Sequence, residues 1–582
     1  MKTIKLVLLC FVALTITLFT ACERDSDLVS TEEEIEEETL LDANAENIDN
    51  HDATADYTWN SSDEIPITLN GSSISTSGTG ATADGSIVTI TSAGTYSFSG
   101  SLSDGQIIVD TEDETIVRLI LNGVDINCSS NAPIYVENAK KAMIVLADDT
   151  QNTVTDGSSY SSDEEDANAA IFSKQNLTIY GEGSLTVHGN YNDGITSKDG
   201  LIIASGNITV AAVDDGIRGK DYLIVKDGNI TIAAEGDGLK SDNDAVSGTG
   251  YITIEAGTFD ITAGGDAIQA EQDVLIFLGE INLKSGGGSS AYLSTDVSAK
   301  GIKSGISTII YGGTITIDAA DDAIHTDGNM EIYDGTFYIA SGDDGMHSEY
   351  NTEFTSGDIY ITESYEGLES AMGSITINGG NFDIVASDDG INVSAGGASA
   401  GGGRKSATAT GTYALNITGG YINIDCEGDG LASNDFLNIT GGTMLVNSDS
   451  QRENSSLDYD GSCVISGGFL LGVGSADMSM APGTSSTQYS FLIDLKSKLT
   501  TGNIIHVQNS EGTEIFTYTP HKSFQSIVFS SSALKKGSTY EVYIGGTATG
   551  TASNRLYTLG TYSGGTLYTS FTISSMVTSI NL

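Results

Sequence analysis

Proline, tryptophan and positive charge are all scarce in this chain. Its 582 residues include four prolines, one tryptophan and five cysteines, and 24 Lys and Arg stand against 79 Asp and Glu. A formal net charge of -55 argues against nucleic acid as a partner, because so few cations cannot build a surface that meets phosphates. Divalent cations and neutral ligands remain open, and a polyanionic ligand would need bridging metal. The cysteines imply no disulfide framework. Cys10 and Cys22 fall in the first 22 residues, while Cys128, Cys426 and Cys463 are far apart and odd in number, so these three are expected to be small buried residues. A 3.6-residue apolar period is also missing, which argues against helical repeats.

Glycine, by contrast, is abundant at 70 residues. Much of it lies in one recurring phrase: an acidic residue, Gly or Ala, then an apolar residue. It reads Asp193-Gly194-Ile195, Asp215-Gly216-Ile217, Asp237-Gly238-Leu239, Asp266-Ala267-Ile268, Asp322-Ala323-Ile324, Asp344-Gly345-Met346, Glu366-Gly367-Leu368, Asp389-Gly390-Ile391 and Asp429-Gly430-Leu431. The spacings are 22, 22, 29, 56, 22, 22, 23 and 40, and a fixed period of this size marks a repeat architecture. Within one period the chain alternates three times: Ile217 with Gly219, Leu223 with Val225, Ile230 with Ile232. Three short alternating runs bounded by Gly, Asp and Asn predict three strands per repeat. The predicted fold class is therefore all-β, a parallel β-helix with about 22-residue coils stacked about 4.8 Å apart. A small C-terminal β domain is predicted to cover its last coil.

Four segments follow. Lys2 and Lys5, an apolar run from Leu6 to Phe19 and the small residues before Cys22 predict a lipoprotein signal peptide over 1–21 with lipidation on Cys22. A plain secretory leader is the alternative. Residues 22–62 form an acidic, solvated tether, with a short helix possible around Glu33 to Ala45. Residues 63–484 form the repeat domain, and residues 485–582 the capping region. Gly-Ser-rich insertions at 285–300, at 394–412 with Gly401-Gly402-Gly403-Arg404-Lys405, and at 448–459 are expected to flank one face.

Stacked acidic residues need cations. The dense carboxylates Asp193, Asp214, Asp215, Asp237, Asp242, Asp244, Asp266, Asp321, Asp322, Asp343, Asp344, Asp388 and Asp389 suit calcium, a hard ion with about 6 to 8 oxygen ligands. The bland alternative is that each Asp caps its turn by accepting backbone N–H groups. Strand parity turns the residue three past each acid outward: Thr196, Arg218, Lys240, Gln269, His325, His347, Glu369, Asn392 and Ala432. Lys198, Arg218, Lys220, Lys240, Gln269, His325 and His347 are the candidate contacts for an extended ligand on this polar face. A zinc pair at His325 and His347 is conceivable, with two exposed histidines the commoner explanation. No nucleophile–base arrangement stands out. If there is chemistry, a calcium-dependent elimination with Arg218, Lys220 or Lys240 as base is the form it would take.

The runs Asn190-Tyr191-Asn192-Asp193-Gly194-Ile195-Thr196-Ser197-Lys198-Asp199, Asp214-Asp215-Gly216-Ile217-Arg218-Gly219-Lys220-Asp221 and Gly238-Leu239-Lys240-Ser241-Asp242-Asn243-Asp244 resemble the carbohydrate-binding β-helix family of bacterial surface proteins. Leu457-Asp458-Tyr459-Asp460-Gly461 and Leu534-Lys535-Lys536-Gly537-Ser538-Thr539-Tyr540 extend the likeness, which covers about residues 65 to 575. The resemblance implies a right-handed single-stranded parallel β-helix similar to pectate lyases, bound calcium, and binding of cellulose-like or acidic plant polysaccharides without clear catalysis; a monomer is expected. It implies lipid anchoring at the outer membrane or cell surface. A structural or adhesive surface scaffold stays open as a further alternative. The single Trp59 lies outside the repeat, so there is no tryptophan platform for sugars.

Overall fold

The structure is a computed structural model. It describes residue 47 and residues 50–160, 167–294, 297–395, 413–450 and 454–582. The predicted leader, Cys22, most of the acidic tract and the insertion around Arg404 and Lys405 lie outside the described residues.

Alternation sets the architecture. In Asn229–Ala234 the side chains of Ile230, Ile232 and Ala234 are buried while Asn229, Thr231 and Ala233 are exposed. Each strand pairs in parallel, in register, with the strand three later. Asp193–Ser197 meets Ile217–Gly219, Gly200–Ile203 meets Tyr222–Val225, and Asn207–Ala212 meets Asn229–Ala234. The chain is thus all-β with large parallel sheets, and regular helix among the described residues is limited to two short 3-10 turns. The first strand of every repeat belongs to a 16-stranded sheet. The second and third strands build two columns of a 33-stranded sheet, joined where Val117–Cys128 pairs with both Ala142–Leu146 and Gln151–Asp156. No described helix is long and apolar enough to cross a membrane.

The three columns share one apolar core, which Ile217, Leu223, Val225, Ile230 and Ile232 enter from a single repeat. Stacking the rows in register gives each core Ile another large apolar side chain, such as Ile, Leu, Phe or Met, in the neighbouring repeat, so burial is continuous along the stack. The early strands follow the same register, with Ile134, Ile171 and Ile195 paired in turn.

Inside the acidic series, one repeat escapes the phrase. Ile302 pairs with both Ile268 and Ile324, so Lys300-Gly301-Ile302 is a full repeat with lysine at the acidic position. The 56-residue gap therefore holds one hidden repeat rather than one long insertion. The parallel stack ends where Phe524–Ser530 pairs antiparallel with Phe469–Gly474 and with Ser490–Leu499. Phe491, Phe524, Phe529 and Tyr540 fill a second core there. An otherwise open sheet edge is closed off by this pairing.

Asn47 and residues 50–57 lie across the second-strand column. Asn47 donates to Asp273 at 3.0 Å, His51 contacts Tyr222 and Thr178 at 2.8 Å each, and Lys141 pairs with Asp52 at 2.9 Å. The last part of the acidic tract is thus packed against several repeats.

Candidate functional site: an acidic ladder with a basic column

The acidic residues of successive repeats occupy one corner, just before the first strand. Their burial is deep: Asp193 is 0 % exposed, Asp215 3 %, Asp266 3 %, Asp322 4 % and Asp344 5 %. The second residue of the phrase explains its own smallness. A Cβ at Gly216 would lie 2.5 Å from Ile232 Cγ2 and 2.6 Å from the Gly238 carbonyl oxygen, so each corner packs against the third strand and against the next repeat.

Each carboxylate does two things. One oxygen accepts the backbone N–H of the next ladder residue: Asp237 N–H to Asp215 at 3.0 Å, Asp266 to Asp237 at 2.8 Å, Lys300 to Asp266 at 2.7 Å, Asp344 to Asp322 at 3.0 Å, Glu366 to Asp344 at 3.0 Å and Asp429 to Asp389 at 2.6 Å. This is the turn-capping alternative, extended into a ladder between repeats. The other oxygen looks toward the outward column three residues on, which pairs in register as Thr196, Arg218, Lys240, Gln269, Lys303, His325, His347, Glu369 and Asn392.

Most cations of that column are engaged by the ladder. Lys240 reaches Asp237 at 2.7 Å and Asp215 at 3.1 Å. Arg218 forks onto Asp242 and stands 3.8 Å from Asp193. Lys303 lies 3.6 Å from Asp266, and Lys300 2.5 Å from Asp321 and 3.4 Å from Asp322. His325 Nδ1 meets Asp322 at 2.8 Å, and His347 Nδ1 meets Asp344 at 2.9 Å and Glu369 at 3.0 Å. Among the remaining predicted contacts, Lys198 lies over the Phe172 ring at 5.7 Å, Gln269 keeps a buried Oε1 without a hydrogen bond, and Lys220 sits partly exposed at the end of its strand. Of the predicted metal ligands, two oxygen clusters converge: Asp193, Asp214 and Asp215, and Asp321, Asp322 and Asp343. Asp237 is taken by Lys240 and Asp242 by Arg218. Asp244 is exposed, Asp266 is capped by Ser298, and Asp388 stands next to Asp389 in a half-buried pair.

Burial and mutual repulsion shift these groups. Burial, then the Asp215 charge, pushes Asp193 up to about 7. Burial, then Asp322 and Asp321, pushes Asp343 up to about 6. Burial, then Asp429, pushes Asp389 up to about 8. Burial works against the charged form of His347, but the hydrogen bonds it donates to Asp344 and Glu369 overcome it and push its pKa up to about 11. Burial likewise opposes Lys240, and Asp237 and Asp215 prevail. Lys240→Met would leave two carboxylates without their cation. Removing one partner of a fully buried pair costs about 3–5 kcal/mol. Lys240 keeps partial exposure, so about 2 kcal/mol is expected by urea denaturation in chelator, and calcium is expected to recover part of it.

Sequence spacing could have exposed two residues of this site. Lys300 and Lys303 lie 22 residues before Asp322 and His325, but the acidic phrase excluded a lysine. Glu366 belongs to the phrase and was not counted among the ligands. It is 9 % exposed, and its Oε2 has no hydrogen bond. The insertions Asp242–Gly250 and 394–412 follow first strands, whereas 286–299 and 448–456 precede them.

Fold and site together define a stacked parallel-strand repeat protein with a charged ladder along one sheet. Residues 84–345 match a protein family described as "Carbohydrate-binding domain-containing protein". A carbohydrate-binding domain-containing protein of Acetivibrio thermocellus is 46% identical over 128 residues, 22% of this chain and 45% of that protein, so the match spans less than half of the relative's length. The solved structure of a polysaccharide lyase-like protein from C. thermocellum, a gadolinium derivative, is 32% identical, with 44% of this chain and 94% of that chain covered at a TM-score of 0.36.

Proposed function

We propose that this chain is a calcium-associated polysaccharide-binding protein of the bacterial surface, anchored through Cys22 and folded as a right-handed single-stranded parallel β-helix. The ligand is an extended glycan, cellulose-like or of the acidic pectin type, bound by one monomer along the 16-stranded sheet. The observation that carries this is the outward column from Arg218 to Asn392: a row of polar and charged side chains stacked in register. An extended polymer matches such a row better than a compact ligand does. The family match over residues 84–345 supports a carbohydrate as that polymer.

The two convergent oxygen clusters fit calcium by donor chemistry, since all three donors in each are carboxylates. Calcium there would offset charge that the few cations leave uncompensated and would bridge to uronate carboxylates. Binding without chemistry is favoured over elimination, because Arg218 and Lys240, which would have to take a substrate proton, are paired to carboxylates and held protonated.

Affinity electrophoresis of the full chain tests this in polygalacturonate and soluble cellulosic gels, with calcium and with EDTA, alongside absorbance for unsaturated products. Calcium-dependent retardation without product is the expected result. Product would establish a lyase with Arg218, Lys220 and Lys240 as base candidates. Absence of retardation in every gel would overturn glycan binding and leave a calcium-stiffened scaffold.

A further inference from the structure

The chain leaves each first strand through a residue three positions past the outward column, and the character of that residue changes along the stack. It is Asp199, Asp221, Asn243 and Gln272 in four successive repeats, then Ile306, Gly328, Tyr350 and Met372 in the next four. The strands on either side keep these residues in line. Ser304 pairs with Thr326 and Thr326 with Ser348, while Ser307 pairs with Asn329 and Met330 with Thr352. Ile306 therefore adjoins Gly328, and Gly328 adjoins Tyr350. The Met372 N–H donates to the Glu349 carbonyl at 2.8 Å, which sets Met372 beside Tyr350 in the following repeat. Ile306 is 45 % exposed, Tyr350 48 % and Met372 39 %. Single apolar residues scattered over a surface are ordinary, whereas three in one row make a strip.

Gly328 leaves one rung of this strip without a side chain. A Cβ there would lie 1.8 Å from the Ile306 carbonyl oxygen, so the backbone itself keeps the rung empty. Repeats stack about 4.8 Å apart, which puts Ile306 and Tyr350 about 10 Å apart across it. Where aromatic residues occupy adjacent rungs in this protein they cover one another. Phe277 stacks on Tyr311 at 4.8 Å with planes 8° apart, Tyr311 on Tyr333 at 4.9 Å and 10°, and Tyr338 on Tyr360 at 5.3 Å and 11°. The row neighbours of Tyr350 are Gly328 and Met372, and neither carries a ring. A pyranose with equatorial hydroxyls has apolar C–H faces and a polar rim, so it suits the place of the absent ring. Polar partners for that rim stand next to the strip. Asp327 and Glu349 directly precede Gly328 and Tyr350, and their side chains are 58 % and 34 % exposed. These carboxylates can accept from sugar hydroxyls, and they repel a uronate. Lys303, the lysine of the outward column in this stretch, lies 3.6 Å from Asp266 and is already compensated.

We propose that the strip from Ile306 to Met372 is a sugar subsite, in which one pyranose of an uncharged, cellulose-like glycan stacks on the Tyr350 ring over Gly328 and donates hydroxyl hydrogen bonds to Asp327 and Glu349. This rests on the reading of the 16-stranded sheet as a glycan surface, and it narrows the ligand of these repeats to the neutral class.

The test is calorimetry of the full chain in calcium, with a β-1,4-linked glucose hexamer and an α-1,4-linked galacturonate hexamer as probes. Tyr350→Ala is expected to weaken glucose-hexamer binding about 10-fold or more, with the melting temperature unchanged. Tyr350→Phe is expected to bind as the parent does, because the ring face and not the hydroxyl makes the contact. Ile306→Ser, across the empty rung, is expected to weaken binding about 3-fold through lost apolar contact, and it gives a second readout should Tyr350→Ala misfold. Tyr338→Ala, which removes an exposed tyrosine of the third-strand column, is expected to change nothing. Unchanged glucose-hexamer affinity in a normally melting Tyr350→Ala chain would overturn the subsite and leave the glycan surface standing. Galacturonate binding weakened equally by Tyr350→Ala would overturn its neutral class. Binding of neither hexamer by the unaltered chain would overturn the glycan reading and the subsite with it.

Discussion

In chelator, the melting temperature of this protein is expected to fall as pH rises from 5 to 8.5, and calcium is expected to restore it at pH 8 but hardly at pH 5. The sign follows from the raised carboxylates. Asp193, Asp343 and Asp389 titrate near 7, 6 and 8 when folded, against an ordinary value of 3.8. A group whose folded pKa is raised holds its proton more tightly in the folded state. Each therefore lowers stability progressively between about pH 4 and its folded pKa, and by a constant amount above that. The opposite behaviour belongs to Asp52 and Asp56, whose pKa values are lowered. Burial opposes their charge, and hydrogen bonds to Tyr57 and Lys141 at Asp52, and to Lys141 at Asp56, overcome that opposition. Their stabilisation is present above the ordinary carboxylate value and is lost as pH falls through their folded values. Stability in chelator is thus expected to peak near pH 5. At pH 8 the ladder carries repulsion that a dication relieves, and an ion present at a hundredfold excess over its dissociation constant adds about 2.7 kcal/mol per site. At pH 5 protons occupy the same oxygens and compete. Differential scanning calorimetry across this pH range, with calcium and with EDTA, is the measurement. A calcium shift of equal size at both pH values would remove the ladder as the binding site.

Gly216→Val is expected to be the more damaging single change. Its Cβ alone would approach Ile232 and the Gly238 carbonyl at about van der Waals overlap, and two further methyl groups have nowhere to go, because the corner is closed by the third strand on one side and the next repeat on the other. Overpacking of this kind costs about 1–3 kcal/mol and occasionally more. Here the backbone carbonyl that would have to move is itself hydrogen-bonded to Ile217 N–H at 3.0 Å, so a cost of about 3 kcal/mol or above is expected in urea. Gly216→Ala is expected to cost less than valine without being neutral, since its Cβ already meets the Gly238 carbonyl, although Ala267 and Ala323 fit buried at the matching corners. A Val variant as stable as the parent would show that the corner relaxes and that the Gly/Ala preference has another origin.

The repeat, its length and its strand count were legible in the sequence because the packing positions take the same class of residue in successive repeats. Apolar residues such as Ile195, Ile217 and Ile268 alternate toward a shared core, and a small residue at 194, 216 or 267 is demanded by sterics alone. Parity likewise placed Arg218, Lys240, Gln269, His325 and His347 in one outward column, and the register confirms that placement. The hidden repeat at Lys300 was missed because charge was used as its marker, whereas packing needs only Gly301 and Ile302.

What the sequence by itself determined, then, is the all-β class, the parallel stacking of short strands and the composition of each face, since these follow from side-chain period and volume within a single repeat. Only the tertiary structure decided what the charges do. Whether Lys240 faces a ligand or neutralises Asp215 and Asp237, whether Asp242 belongs with a metal or with Arg218, and whether His347 Nε2 has a partner all depend on distances between residues 22 or more positions apart. A few ångströms there separate an ion pair from a solvated charge, because electrostatic energy depends on separation and burial, and neither is written in the order of residues.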